Sequence, residues 1–202
     1  MPPEVWGPLF WHTIHIVALG YPENPSYAHK KAVKEFFEYL RHLFPTELIV
    51  WNYGNHDTRF KKFIYQKAPE LLDIPEVDLN FILDLNRLKI IPLENGRGIT
   101  YGKLNIRHGH EFQGGGGVYP ARSYYLKAED NILVSHVHRT SFFQSNDINR
   151  KLHGGWSIGC LSELSPDYNI NSKYNHGFAI VQKDKKGDFR VNNKMIINGK
   201  LL

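Results

Sequence analysis

Pro45-Thr46-Glu47-Leu48-Ile49-Val50-Trp51-Asn52-Tyr53-Gly54-Asn55-His56-Asp57 is the stretch on which the reading of this chain turns. Pro45 removes an amide donor and stops the helix before it. Glu47 to Tyr53 is a short apolar run closing at Gly54, and it reads as a buried strand. Asn55, His56 and Asp57 follow where that strand ends, and Asp57 to Lys67 then looks helical. In an α/β layer structure, polar loops at the strand carboxyl ends converge on one rim, so distant residues can meet there.

Upstream of Pro45 the pattern is helical. Val5 to Leu19 places Trp6, Leu9, Phe10, Thr13 and Val17 on one broad stripe. After the turn Tyr21-Pro22-Glu23-Asn24-Pro25, Ser26 stands as an N-cap. Val33, Phe36, Phe37, Leu40 and Leu43 then recur at spacings of three and four, the mark of an amphipathic helix. Downstream, Leu79 to Leu88 reads as a helix and Ile90-Ile91 as a strand start. Ile99 to Arg107 is a strand broken at Gly102, Ala121 to Ala128 a helix, and Asn131 to Val137 a strand. Gly177 to Val181, Arg190 to Val191 and Met195 to Ile197 read as antiparallel strands about a turn at Lys186-Gly187. The fold class is α/β (α+β), with a helical pair over residues 1–45 and a second domain over 46–202. No repeat is visible, and Gly114 to Gly117 is the one low-complexity patch.

The 202 residues carry 42% apolar and 13% aromatic side chains, enough for a buried core. The net charge of +5 is dispersed in short runs such as Lys30-Lys31, Lys61-Lys62 and Lys185-Lys186. That is a mild bias toward phosphate-bearing partners rather than a nucleic-acid stripe. One cysteine, Cys160, excludes an internal disulfide and any dithiol centre within these residues. The opening Met-Pro-Pro-Glu-Val-Trp has no signal-peptide pattern. No apolar stretch nears the roughly 20 residues that span a bilayer. A cytoplasmic protein with no membrane partner is expected.

Three clusters stand where strands should end: Gly54-Asn55-His56-Asp57, His108-Gly109-His110 and His136-Val137-His138. Imidazole and amide oxygen both ligate divalent transition metals, and a metal can polarise a phosphoryl group and activate water. In this order the clusters resemble the later three motifs of the calcineurin-like metallophosphoesterases. Gly155-Trp156 through Gly159-Cys160-Leu161 to His176-Gly177-Phe178-Ala179 is similar to the C-terminal part of phage-type members. The resemblance implies an incomplete β-sandwich with flanking helices over residues 47–202. It implies metal ligation by Asn55, His108, His136 and His138, with His56 and Asp57 catalytic and Arg59 and Arg139 clamping phosphate oxygens. The metal would be manganese, iron, nickel or zinc, and the substrate a phosphate ester or a nucleic acid. The family's upstream Asp-x-His and Gly-Asp-x-x-Asp motifs are absent, and Ser135 replaces a glycine. One amide and three imidazoles are a neutral set, so weak metal binding and poor hydrolysis are expected. Glu111 and Asp147 are the carboxylates that stand in reserve.

The first 45 residues carry another resemblance. Trp6-Gly7-Pro8-x-x-Trp11-x-x-x-His15, then Tyr21-Pro22 and the helix through Phe36-Phe37, looks like the opening of the Erv/ALR-type FAD-dependent sulfhydryl oxidases. It implies that Trp6, Gly7, Trp11 and His15 pack against FAD, a task suited to aromatic faces and a ring N–H. That family continues with Pro-Cys-x-x-Cys, where this chain reads Pro45-Thr46-Glu47-Leu48-Ile49. The alternative to the phosphoesterase is thus an FAD-linked sulfhydryl oxidase fragment without its redox pair, and a third reading is a non-catalytic metal-binding remnant. A gene fusion, a recombined viral or phage gene, or an assembly artefact would each give this pattern. The truncation also predicts an unpaired edge at the Glu47 strand, covered by the N-terminal helices or by self-association.

Overall fold

The computed structural model describes residues 14–16, 27–94, 96–114, 116–165 and 170–202. They divide into two compact units, one within residues 10–96 and one within residues 97–202. Both mix helix with sheet, so the class is α+β, with three sheets and few helices among the described residues.

The first unit is built on three short parallel strands, β1 (Ile14–Ile16), β2 (Ile49–Asn52) and β3 (Ile90–Leu93), in the order β1-β2-β3. Between β1 and β2 runs α1 (Tyr27–Leu43), and after β2 comes α2 (Asn55–Lys67). β2 is buried along its whole length, as a central parallel strand of mostly apolar sequence should be. α1 lays Val33, Phe37 and Leu40 against Ile49, Trp51, Leu83, Leu85, Leu88 and Ile90 in one cluster. Phe37 meets Trp51 edge-on with ring centroids 5.3 Å apart, a favoured aromatic geometry.

Three expectations change here. The helix expected through Val5–Leu19 gives way, over its described part, to strand β1, and the rest of it and the Ser26 cap lie outside the described residues. The Glu47 strand is no unpaired edge, because β2 is paired on both sides. The helix expected over Leu79–Leu88 is only α3 (Leu79–Ile82), capped by Asp78. Asp84 and Lys89 then take left-handed φ angles of 58° and 51°. Leaving the helix lets Leu83, Leu85 and Leu88 all reach the core, which one helical face spaced at three and four could not do.

The second unit holds a five-stranded sheet in the order β4-β5-β6-β8-β7. Its strands are β4 (Ile99–Tyr101), β5 (Leu104–Ile106), β6 (Ile132–Val134), β7 (Ser141–Asn146) and β8 (Leu152–Ser157). β5, β6 and β8 run parallel, flanked by antiparallel β4 and β7. α4 (Pro120–Ala128) packs on β8, and a Cβ at Gly155 would strike the Ala121 carbonyl at 2.2 Å. Only glycine permits that approach. A second antiparallel sheet, β9 (His176–Lys183), β10 (Phe189–Ile197) and β11 (Lys200–Leu201), completes the unit. It sets Phe189 on Trp156 at 5.4 Å, and the Asn193 amide donates to the Ser141 and Ser157 carbonyls.

Candidate functional site

In the unit of residues 10–96, the carboxyl end of β2 runs through Tyr53 and Gly54 directly into α2. Gly54 is the extended N-cap residue, and Asn55 and His56 open the helix. The Asp57 side chain turns back and accepts a 2.7 Å hydrogen bond from the Gly54 N–H, half of a capping arrangement. Asp57 is 7% exposed. Burial pushes its carboxyl up to about 7, against the opposing pull of the Gly54 N–H and its own, because an apolar surround disfavours the charged form. It lines a small cavity of about 60 Å³ with Tyr53, Phe60, Lys61 and Glu94. At the end of β2, Asn52 is 1% exposed, and neither end of its amide makes a hydrogen bond among the described residues. Sequence reading missed Asn52; a primary amide at the end of a fully apolar strand was the only signal. Arg59 lies exposed on α2.

In the unit of residues 97–202, the parallel pairing of β5 with β6 brings their carboxyl ends side by side, the arrangement that gathers loops at one rim. The Ser135 and His136 N–H groups both donate to the His108 carbonyl, at 3.0 and 2.9 Å. This splice holds two rings together, with His108 Nε2 and His136 Nδ1 3.2 Å apart. One nitrogen must donate and the other accept, which fixes complementary tautomers for the two rings. The His110 ring stands 5.0 Å from that of His108 and 6.3 Å from that of His136. Gly109, at φ 111°, lets the loop pass close to Val134 and His136; a Cβ there would lie 3.1 Å from Val134 Cβ. That backbone angle is one glycine adopts freely. Glu111 accepts from the Gly109 N–H at 2.8 Å. Beneath, Tyr124 is fully buried, and burial with the nearby Glu111 charge pushes its phenol up to about 12.

His138 takes a left-handed φ of 53°, and its ring stands 4.7 Å from that of Tyr174. Such an angle is unusual for a residue with a Cβ. Asn175 holds this turn: its N–H donates to the His138 carbonyl and its Oδ1 accepts from the Thr140 N–H. Arg139 turns its guanidinium to the Gly117 and Val118 carbonyls, at 2.6 and 3.1 Å, and so braces the glycine-rich loop.

The fold thus brings His108, His110 and His136 together in one unit and places Asn55, His56 and Asp57 at a strand end in the other. Among the described residues, no group of three or more His, Cys, Asp or Glu side chains is disposed to hold a metal ion. The expected divalent metal is therefore unsupported. Of the residues assigned to flavin, Trp6, Gly7 and Trp11 lie outside the described residues. His15 sits on β1 rather than on a helix, its Cα paired with Val50.

Comparison with known proteins separates the two resemblances. The chain is 32% identical over 88 residues to a probable FAD-linked sulfhydryl oxidase of Acanthamoeba polyphaga mimivirus, covering 44% of this chain and 58% of that protein. It is 31% identical over 72 residues to a putative FAD-linked sulfhydryl oxidase of Invertebrate iridescent virus 6, covering 36% of this chain and 61% of the relative. This chain therefore spans about three-fifths of the length of these curated relatives. No family model and no solved structure matches it. The metallophosphoesterase reading of residues 47–202, and with it the hydrolase and phosphatase activity, is overturned. The matched relatives are named as flavin-linked oxidases, and among the described residues the imidazoles are not gathered into a metal-holding group. The likeness to viral proteins agrees with the expected viral character. Among the described residues, no helix is long and apolar enough to cross a membrane.

Proposed function

We propose that this chain is a flavin-binding relative of the viral FAD-linked sulfhydryl oxidases that carries no redox dithiol of its own. The observation that supports the reading is the pair of viral relatives so named, together with the N-terminal Trp6-Gly7-Pro8-x-x-Trp11-x-x-x-His15 pattern. Bound FAD would supply a two-electron acceptor. Trp11 and His15 are four residues apart, a spacing that keeps two positions on one side of a helix and of a strand alike.

The test is flavin retention. Protein purified in the presence of FAD is expected to stay yellow after desalting, with quenched flavin fluorescence. Trp11→Ala and His15→Ala are each expected to weaken FAD binding about tenfold, equivalent to ~1.4 kcal/mol. Colourless wild-type protein that leaves added FAD fluorescence unchanged would sink the reading. So would variants that bind as tightly as the wild type.

A further inference from the structure

Among the described residues of the second unit, β7 leaves one side of the five-stranded sheet unpaired, and its chemistry selects what can close it. β7 is the outer strand of the five-stranded sheet, bonded on one side to β8, and among the described residues no strand pairs with its other side. The ladder's phase follows from Gly154. Its N–H donates to the Asn131 side chain at 2.9 Å, on the side of β6, and not to β7. Positions in an antiparallel ladder alternate between pairs that exchange hydrogen bonds and pairs that do not. Gln144, opposite Gly154, is of the second kind, and so by alternation are Phe142 and Asn146. The N–H and C=O groups of these residues therefore point out of the sheet. Exposure follows the same alternation, with Phe142, Gln144 and Asn146 exposed and Phe142 71% accessible.

Edges of this kind are normally guarded by charge, proline or a bulge. Ser141-Phe142-Phe143-Gln144-Ser145-Asn146 contains no charged residue and no proline. We propose that β7 pairs with β7 of a second copy of this chain, antiparallel, about a two-fold axis beside Gln144. In that register Phe142 of each copy stands opposite Asn146 of the other, and Gln144 stands opposite Gln144. Every outward backbone group then meets its complement, and the two sheets join into one continuous sheet. Such an interface is isologous and closes after two copies, so it yields a dimer rather than a fibre. The uncharged strand lets two chains of net charge +5 meet without placing like charges directly across the ladder. An acidic partner is disfavoured by the same absence of charge on the strand.

The experiment is light scattering on the full chain across a dilution series, with amide exchange read at Phe142, Gln144 and Asn146. The wild type is expected to have twice the monomer mass at high concentration and to dissociate on dilution, with those amides protected only in the dimer. Gln144→Pro deletes an outward N–H that β8 does not use, so an edge strand tolerates it while the two-fold pairing fails. Its expected state is a monomer with unchanged circular dichroism. Gln144→Lys, a change at an exposed side chain, sets two ammonium groups across the axis and is also expected to be monomeric. It keeps the test decisive should the proline variant misfold. A wild type that stays monomeric at every concentration overturns the proposal, and slow exchange in that monomer would assign the edge to a segment of the same chain. A dimer that survives Gln144→Lys overturns it too, by placing the contact elsewhere.

Discussion

Asn52 and Asp57 lie five residues apart at the end of β2 and set up opposite expectations for stability. The Asn52 amide is buried, with both ends unpaired among the described residues. An orphaned buried amide costs ~1–3 kcal/mol, and valine suits a buried strand, so Asn52→Val is expected to raise stability by about 1–2 kcal/mol. The check is the urea midpoint; a fall would show that the amide is bonded in solution. Asp57 behaves as a proton store. Its folded carboxyl titrates near 7 against an ordinary 3.8, chiefly because it is buried. The folded chain therefore binds this proton more tightly than the unfolded chain. The associated stability is fully present below the unfolded value and is lost as pH rises through about 7. The upper bound of the effect is ~4 kcal/mol, at about 1.4 kcal/mol per unit. Asp84, Asp147 and Asp188 are each held low by a neighbouring hydrogen-bond donor and work in the opposite sense. At or near the surface, where solvent screens them, they weigh little. Urea unfolding across the range from about pH 5 to about pH 8 should show stability falling in the wild type, and a flatter profile in Asp57→Asn.

At the scale of elements, the joint between α1 and the parallel sheet depends on one guanidinium. Arg41, in the last turn of α1, donates to the carbonyls of Leu88 at 2.7 Å, Phe44 at 2.8 Å, Glu47 at 2.9 Å and Lys89 at 2.9 Å. It thereby ties the helix end to the lead-ins of both β2 and β3. Arg41→Ala is expected to cost about 2–3 kcal/mol, and Arg41→Lys to recover only part of it, since an ammonium cannot span that fork. Thermal denaturation of the pair decides; equal midpoints for the lysine variant and the wild type would refute the role of the planar fork. The sequence shows α1, β2, α2 and β3 clearly because their apolar periods are clean and Pro45 and Gly54 punctuate them. It hides β1, because the helical stripe overlies Ile14-His15-Ile16, whose two β-branched isoleucines suit a strand and which pairs with the buried β2. It hides β8 because Gly154 and Gly155 look like loop signals, whereas Gly155 is there to admit α4. The meeting of His108 and His136 was legible, since each follows a strand. The bracing role of Arg139 was not, because its partners are backbone carbonyls that no residue pattern marks.

Over the whole molecule, the cysteine count bears most directly on the proposed function. Oxidation of thiols to a disulfide removes two electrons and two protons from a pair of sulfurs, and a protein that relays them to flavin through its own dithiol needs two cysteines. This chain has Cys160 alone, 2% exposed, with its Sγ directed to the Ser162 carbonyl at 3.8 Å. A buried thiol of that kind is inert toward exchange with an external disulfide or dithiol. The chain loaded with FAD is therefore expected to consume no more oxygen with dithiothreitol than free FAD does at equal concentration. Cys160→Ser is expected to leave both oxygen uptake and FAD affinity unchanged. An oxygen electrode and fluorescence quenching supply the two readings. Uptake well above the free-flavin rate, abolished by Cys160→Ser, would mean that this sulfur becomes accessible and passes electrons through a mixed disulfide, so that the missing second thiol is supplied by the substrate. Uptake at the free-flavin rate in a chain that still holds FAD would separate flavin binding from thiol oxidation, the division that a single buried cysteine implies.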